Sequence, residues 1–314
     1  MLKMAEKEAT RVAYGRKLTE LGEKYDFYVL DADLSGSTQT AVFAKKFPER
    51  FFNCGIAEEN MISVAAGIAA TGTPAFASSF AMFACGRAFE QIRNSVAYPR
   101  LPVKICASHA GITVGEDGAT HQFCEDIAIM RALPGMTVVC PADSASTEAL
   151  LEEVLHHNGP VYMRLGRYAV PQFYEKGERE FKLGKGIVLA DGKDITIVAT
   201  GIMVAAAMEA RAALAADGID AAVIDIHTIK PLDDKLIKEY AAKTGNILTA
   251  EEHSVIGGLG DAVASVLAET GNAKLTKLGI NDVFGTSAPA GVLLEHYQLN
   301  AAGIVKRVKA MLNK

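Results

Sequence analysis

The stretch VKICASHAGITVGEDGATHQF, residues 103–123, shows in one place the pattern on which the chain is built. A short apolar run, 103–108, leads directly into a loop of glycines, acids and two histidines. An apolar run of this length that ends in a glycine-rich turn is typical of a buried β-strand. Because open parallel sheets bind ligands where the carboxyl ends of strands meet loops, this loop is a candidate functional site.

The same pattern recurs on both sides of this stretch. Further strands are predicted at 27–32, 50–54, 74–78, 136–140, 160–165, 194–201, 220–226, 246–252 and 273–280. Helical segments at 58–72, 81–98, 144–157 and 301–314 alternate with them. This alternation predicts an α/β fold with two domains, each a mainly parallel sheet flanked by helices. We expect the domains at 1–175 and 187–314, joined by a charged, aromatic segment at about 168–186.

Composition excludes several classes of function. The chain has 314 residues, of which 50% are hydrophobic and 22% charged, and its net charge is −5. This balance gives no electrostatic attraction to nucleic acid or acidic membranes. The apolar runs are too short to span a bilayer, and the N-terminus does not resemble a signal peptide, so we expect a cytoplasmic protein. Five scattered cysteines in apolar surroundings predict buried free thiols.

The loop at 111–123 admits several interpretations. A phosphate-binding P-loop would need a longer glycine spacing followed by Lys and Ser or Thr, which the loop lacks. His109, Asp117, His121 and Glu125 could be imagined around a metal ion, but their spacing matches no zinc pattern and we expect no metal ligand here. Gly115 and Gly118 also fit a simple turn, although a turn has no need of two histidines.

The loop closely resembles the GVGEDGPTHQP motif of transketolases, which are thiamin diphosphate enzymes that transfer two-carbon ketol units between sugar phosphates. Four other segments resemble that family in the same order along the chain: YGRKL (14–18), GIAEEN (55–60), SFAMF (79–83) and AEEHSVIGGLGD (250–261). The resemblance implies a pyrimidine-binding domain followed by a transketolase C-terminal domain.

The resemblance also implies which residues meet the cofactor. Glu58 matches the carboxyl group that acts on the aminopyrimidine ring and is therefore the candidate catalytic residue. Phe80 and Phe83 match the apolar pocket for that ring, and Asp33 and Leu34 match residues that line the thiamin. Without the resemblance, Glu58 would be explained as an acid favoured by a helix dipole, and the phenylalanines as ordinary core residues.

Substrate residues follow in the same way. The positions that match the family's phosphate site are Arg16, Ser37, His109 and Arg167. Arginine suits a phosphate through its planar fork of donors, and Arg164 is a weaker candidate nearby. Asp117 matches a residue that binds a substrate hydroxyl. His121 matches the histidine beside the ketose carbonyl, where an imidazole can also move protons.

One family motif is missing from the chain. Transketolases hold the cofactor's diphosphate through Mg²⁺ or Ca²⁺ with a G-D-G motif and a later Asn, and the chain contains no G-D-G. The resemblance begins at the middle of a full transketolase. It therefore implies the C-terminal half of a split enzyme, with a separate N-terminal subunit that carries the metal and the diphosphate, in an α2β2 heterotetramer of the pentose phosphate pathway.

Alternatives remain open at this point. The chain could serve a transketolase-like enzyme for a branched or sulfonated sugar. It could also resemble a 1-deoxyxylulose 5-phosphate synthase, although SHAG (108–111) departs from that family, or the β chain of a 2-oxoacid dehydrogenase, which lacks the GEDG-x-THQ string. A non-catalytic relative is a further alternative, against which intact Glu58, Asp117 and His121 argue.

Overall fold

A computed structural model describes residues 6–313. The strands are β1 (Lys7–Ala9), β2 (Tyr28–Asp31), β3 (Phe51–Asn53), β4 (Ala75–Ser78), β5 (Val103–Ala107), β6 (Thr137–Val139), β7 (Val161–Arg164), β8 (Ala169–Pro171), β9 (Ile187–Ala190), β10 (Ile195–Ala199), β11 (Ala221–Asp225), β12 (Thr228–Lys230), β13 (Asn246–Ser254) and β14 (Lys274–Ile280). Every strand predicted from the sequence is present, with ends shifted by at most two residues.

The α-helices lie between these strands. They are α1 (Thr10–Gly22), α2 (Ser35–Thr38), α3 (Ala41–Lys46), α4 (Glu58–Ala70), α5 (Phe89–Gln91), α6 (Asp126–Ala132), α7 (Ser144–His156), α8 (Met203–Ala216), α9 (Asp234–Thr244), α10 (Leu259–Thr270), α11 (Ala290–His296) and α12 (Ala301–Leu312). The helix expected at 81–98 is irregular, with π-helical turns at Met82–Arg87 and Ile92–Ala97 on either side of α5. Within residues 6–313, no helix is long and apolar enough to cross a membrane.

Two sheets form the framework. The first has seven strands in the order β12-β6-β7-β5-β4-β2-β3, and all its neighbours are parallel except the β12–β6 pair. The second has five strands in the order β14-β13-β10-β11-β9, and only β9 is antiparallel. The two mainly parallel sheets with flanking helices confirm the predicted fold class.

Four short strands escaped prediction. β1 pairs with β8, and β9 and β12 join sheets as antiparallel edge strands. Strands of three or four residues carry little periodic signal, and their pairing depends on partners far away in the sequence. β12 belongs to the second half of the chain but pairs with β6 at the edge of the first sheet, so both halves contribute strands to that sheet.

The interior is continuous between the halves. One buried apolar cluster contains both Ile127 and Val263, and the other contains both Leu150 and Ile197. Four of the five cysteines are buried and Cys54 is partly exposed, all of them as free thiols. The carboxyl ends of β2, β3, β4, β5 and β7 all open onto one edge of the first sheet, where the predicted functional residues lie.

Candidate active site

Glu58 is the first residue of α4, directly after the loop that follows β3. Its side chain is only 3% exposed, and its Oε2 accepts a hydrogen bond from Arg87 Nη1 at 3.1 Å. The same guanidinium donates from Nε to Glu59 Oε1 at 3.0 Å, so one arginine holds two neighbouring acids of different exposure. Arg87 was not predicted from the sequence, because a single arginine in an irregular helix gives no motif.

Four aromatic rings cluster in the segments that follow β4 and β5. Phe80 stacks on His109 with ring centroids 3.7 Å apart, and on Phe83 with centroids 5.9 Å apart. His121 approaches both phenylalanines edge-on, at 6.4 Å from Phe80 and 5.3 Å from Phe83. A bridge between Phe80 and Ser108 joins the ends of β4 and β5 and fixes this geometry. The cluster therefore combines two predicted cofactor residues with two predicted substrate residues.

His109 occupies the centre of the cluster. It is 3% exposed, it adopts a left-handed backbone conformation with φ +57°, and its Nδ1 lies 2.8 Å from the Ser108 hydroxyl. Burial, followed by the nearby positive charges of Arg11 and Arg167, lowers the pKa of His109 to about 3. The imidazole is therefore neutral at physiological pH and can contribute hydrogen bonds but no charge to an anion.

The structure does not bring Arg16 into this group. Arg16 forms ion pairs with Glu8 and Glu148, on the side of α1 that faces α7 and β1. Arg11 takes its place: its Nη1 donates to the Ser37 carbonyl oxygen at 2.6 Å, and its charge is among those that lower the pKa of His109. Five residues turn a helix by about 140°, so Arg11 and Arg16 cannot face the same way.

Arg167 lies close enough to Arg11 to disfavour the charge of Arg11. Burial lowers the pKa of Arg11 and Arg167 lowers it further, while the buried Arg11 Nε has no hydrogen-bond partner within the described chain. Arg167 is 39% exposed and bonds the Val114 carbonyl, with Glu116 Oε2 at 3.4 Å. Two converging cations with a free buried donor form a site that an anion would stabilise.

The other predicted residues surround this centre. Asp33 is exposed, has φ +64° and exchanges hydrogen bonds with Asn53 across the ends of β2 and β3. Leu34 is half-buried beside it, and its N–H donates to Asp31 at 2.7 Å. Asp117 is exposed at the tip of the loop after β5. Arg164 is buried instead and bonds Asp126 Oδ2 at 2.7 Å, which gives it a structural role.

No three His, Cys, Asp or Glu side chains within residues 6–313 converge as a metal site. Asp117 is exposed and His121 half-buried in the loop after β5, with His121 Nδ1 3.0 Å from the Thr120 hydroxyl. The groups present are thus one buried carboxylate, four clustered aromatic rings and two cations. Such a set can hold an aromatic heterocycle beside a phosphorylated ligand.

Comparison with known proteins assigns the two halves. The transketolase pyrimidine-binding domain family matches residues 6–172, and the transketolase C-terminal domain family matches residues 184–304. The chain belongs to the transketolase family, whose enzymes use thiamin diphosphate, and it corresponds to the C-terminal section of those enzymes. The resemblance inferred from the loop at 111–123 is confirmed.

Three relatives place it more closely. A solved structure described as a split-gene transketolase, an inactive β4 tetramer, is 54% identical, with a TM-score of 0.90 over 97% of this chain and 98% of that chain. The 6-deoxy-6-sulfo-D-fructose transketolase subunit of Clostridium sp. is 44% identical over 94% of this chain and 92% of that protein. One subunit of the apulose-4-phosphate transketolase of Phocaeicola vulgatus is 38% identical over 98% of each chain.

Proposed function

We propose that the chain is the C-terminal subunit of a split, thiamin diphosphate-dependent transketolase that moves a two-carbon ketol unit from a ketose phosphate to an aldose phosphate. One observation carries the proposal. The His109 ring stacks on Phe80, and Arg11 and Arg167 lie close enough to it for their charges to help lower its pKa. A single buried imidazole therefore joins an apolar ring pocket to a dicationic anion site.

Each residue type has a part in this proposal. Glu58, buried at the start of α4, would meet the pyrimidine ring of the cofactor, with Phe80 and Phe83 along the ring and Asp33 and Leu34 at its margin. Bound thiamin diphosphate would supply the carbanion chemistry that ketol transfer requires. A carboxyl group sequestered from water and held by one arginine suits a proton-handling role at that ring.

The substrate side uses the opposite face of the cluster. Arg11 and Arg167 would bind the sugar phosphate together with Ser37 and the neutral His109. The exposed Asp117 and the half-buried His121, both in the loop after β5, would contact the sugar hydroxyl and carbonyl ends. Binding through the phosphate would hold the reacting carbon near the Phe80–Phe83 stack.

A partner subunit completes the proposal. Apolar side chains are exposed on β3, α4 and the loop between them: Phe52 at 43%, Ile56 at 74% and Val64 at 38%. Exposed apolar residues on the elements that lead to and carry a buried functional acid favour a surface that another protein covers. That partner would bring the diphosphate site and its Mg²⁺ or Ca²⁺, in an α2β2 heterotetramer. The cytoplasm and the pentose phosphate pathway remain the predicted setting.

A second candidate concerns the sugar. The 44% and 38% identical relatives act, by their names, on a sulfonated sugar and on apulose 4-phosphate. A sulfonate presents three oxygens in the same tetrahedral arrangement as a phosphate monoester, with one negative charge instead of nearly two, so a site built from two arginines can bind either group. The chain could therefore serve a transketolase for a sulfonated or branched sugar.

The deciding experiment combines this chain with a candidate N-terminal subunit, for which the product of the neighbouring reading frame is the first choice to test, in the presence of thiamin diphosphate and Mg²⁺. We expect ketol transfer from xylulose 5-phosphate to ribose 5-phosphate by the mixture and none by this chain alone. Parallel assays with 6-deoxy-6-sulfofructose and apulose 4-phosphate test the second candidate. Full transfer by this chain without the partner would contradict the split-subunit proposal.

A further inference from the structure

The loop after β5 rests on the second half of the chain. We define the glycine loop as residues 111–122. Glu252, near the carboxyl end of β13 and 4% exposed, accepts a hydrogen bond at Oε1 from the Thr113 N–H at 2.7 Å. Gly111, at φ +75°, lies directly against this carboxyl group, and any Cβ there would overlap it. The Glu252 carboxylate thus contacts the loop backbone at Gly111 and Thr113, and it leaves no room for a side chain at position 111.

Glu252 is itself held firmly. Its carbonyl oxygen accepts a hydrogen bond from Arg164 Nη2 at 2.8 Å, and Arg164 Nη1 lies 3.8 Å from Glu252 Oε2. The same arginine donates to Asp126 Oδ2 at 2.7 Å, which fixes it to α6. A buried carboxylate with a paired arginine and a backbone donor has little freedom to move.

A second support lies at the far end of the glycine loop. Gln122 Nε2 donates to the Thr286 carbonyl at 2.9 Å, and the Ser287 hydroxyl donates to the Glu116 carbonyl at 2.7 Å. Gly118, at φ +74°, packs against the Ser287 hydroxyl without space for a Cβ. Both supports come from beyond residue 184, and Thr113 and Gln122 bracket the stretch that carries Asp117 and His121.

We propose that the C-terminal domain acts as a template for the glycine loop, with Glu252 as the positioning residue that sets where Asp117 and His121 stand. This inference rests on the proposed function for its kinetic consequence, and on the contacts above for its structural one. Fixing the backbone of such a loop costs conformational entropy, and contacts formed before substrate arrives remove that cost from the reaction. In other sites, residues that pack behind the substrate-binding groups hold those groups in the productive geometry.

The first test measures amide hydrogen exchange in the full chain and requires no activity. Glu252→Ala should accelerate exchange in residues 111–122 by about tenfold or more, because the Thr113 N–H loses a charged acceptor. Glu251→Ala is the matched control, since Glu251 accepts the N–H groups of Leu259 and Gly260 at the start of α10. It should accelerate exchange there and leave the glycine loop unchanged.

The second test measures kinetics in the complex with the N-terminal subunit. Glu252→Ala should lower kcat/KM for the ketose phosphate about tenfold and leave half-saturation by thiamin diphosphate unchanged within twofold, while Glu252→Gln, which keeps an oxygen acceptor, should recover most of the loss. A purely structural role would lower kcat/KM and also raise the thiamin diphosphate concentration needed for half-saturation. Ser287→Ala removes an exposed hydroxyl and should give smaller changes in the same direction, about threefold.

The outcomes separate the two proposals. Unchanged loop exchange in Glu252→Ala would overturn the template, whatever the activity. Faster exchange with an unchanged kcat/KM would overturn the catalytic consequence. If Glu252→Ala does not fold, Glu252→Gln and Ser287→Ala decide, and unchanged exchange and kinetics in Ser287→Ala would count against the template. A wild-type complex without ketol transfer would contradict the proposed function and leave the exchange result standing.

Discussion

The two parallel sheets end in similar residues and treat them in opposite ways. At the first sheet, Asp117 and Arg167 stay open to solvent, and Arg11 keeps a buried donor without a partner within residues 6–313. At the second sheet, Glu251 and Glu252 are buried and accept backbone N–H groups, Glu251 from the start of α10 and Glu252 from Thr113 of the first domain. The same topology can therefore provide a binding site or a support, depending on what covers the strand ends.

The largest expected effect concerns Glu58, the buried acid near the carboxyl ends of the strands of the first sheet. Glu58→Ala should lower ketol transfer by the complex about 100-fold or more, because proton handling by a positioned carboxyl group contributes at least that much in known enzymes. Glu59→Ala is the matched control, since Glu59 is 39% exposed and bonds the same Arg87. We expect near wild-type rates from Glu59→Ala. Retention of most activity by Glu58→Ala would remove the carboxyl group from the proposed mechanism.

The second prediction concerns the two arginines of α1. Arg11→Ala should raise the KM for phosphorylated sugars about 10-fold to 100-fold with a smaller change in kcat, because a hydrogen bond to a charged ligand is lost. Arg16→Ala, which removes the ion pairs with Glu8 and Glu148, should leave KM within about twofold. Steady-state kinetics with each variant make the comparison. Equal increases in KM for both variants would argue against the anion site at Arg11.

The same helix explains what the sequence could and could not reveal. Ten strands of the two sheets were predictable, since apolar runs bounded by turns are typical of buried strands, whereas the short antiparallel edge strands β9 and β12 were not. Arg16 was assigned by motif alone, whereas in the structure Arg16 pairs with Glu8 and Glu148 and it is Arg11 that lies near His109. A signal for Arg11 did exist: Tyr14, Leu18 and Leu21 form the buried stripe of α1, and Arg11 continues it three residues earlier. A charge on an apolar stripe points to a function.

Long-range contacts left no such signal. The motif 250–261 showed only a glycine-rich helix start, and nothing local reveals that Glu252 reaches Thr113 or that Arg87 joins Glu58 to Glu59. The Glu252–Thr113 pair spans 139 residues, and Arg87 lies 28 and 29 residues from Glu59 and Glu58. Proximity of that kind is a property of the folded chain and not of any sequence pattern.

The third prediction concerns how stability depends on pH at the carboxyl ends of the strands of the second sheet. Asp225 at the end of β11 is buried, and the Tyr174 hydroxyl donates to its Oδ2 at 2.7 Å. Burial raises the pKa of Asp225 to about 7. Between about pH 4 and pH 7 the folded state therefore holds a proton that the unfolded state has released, and stability is lost as pH rises through 7.

The variant Asp225→Asn should remove this loss. Its free energy of unfolding relative to wild type should increase by roughly 1–3 kcal/mol between pH 5 and pH 8, measured by denaturant unfolding at both values. Asp220→Asn changes an exposed acid of the same region and should follow the wild-type profile. A constant difference between Asp225→Asn and wild type at both pH values would show that burial at the second edge does not hold a proton.

The smallest effect is expected at the tip of the glycine loop. Asp117 is exposed and has no hydrogen-bond partner among the described residues, so its removal costs the fold little and leaves the cofactor side intact. Asp117→Ala should therefore change stability by less than about 0.5 kcal/mol. Its effect should appear in the ratio of kcat/KM values between donors that differ in the hydroxyl next to the carbonyl, with a several-fold loss of discrimination.

Glu116→Ala, at the neighbouring exposed position that pairs with Arg167, should change the KM for phosphate-bearing sugars instead, because it frees that arginine. If Asp117→Ala kept full discrimination and Glu116→Ala lost it, the acid that reads the sugar would be Glu116, and the loop would be oriented the other way round from the one proposed.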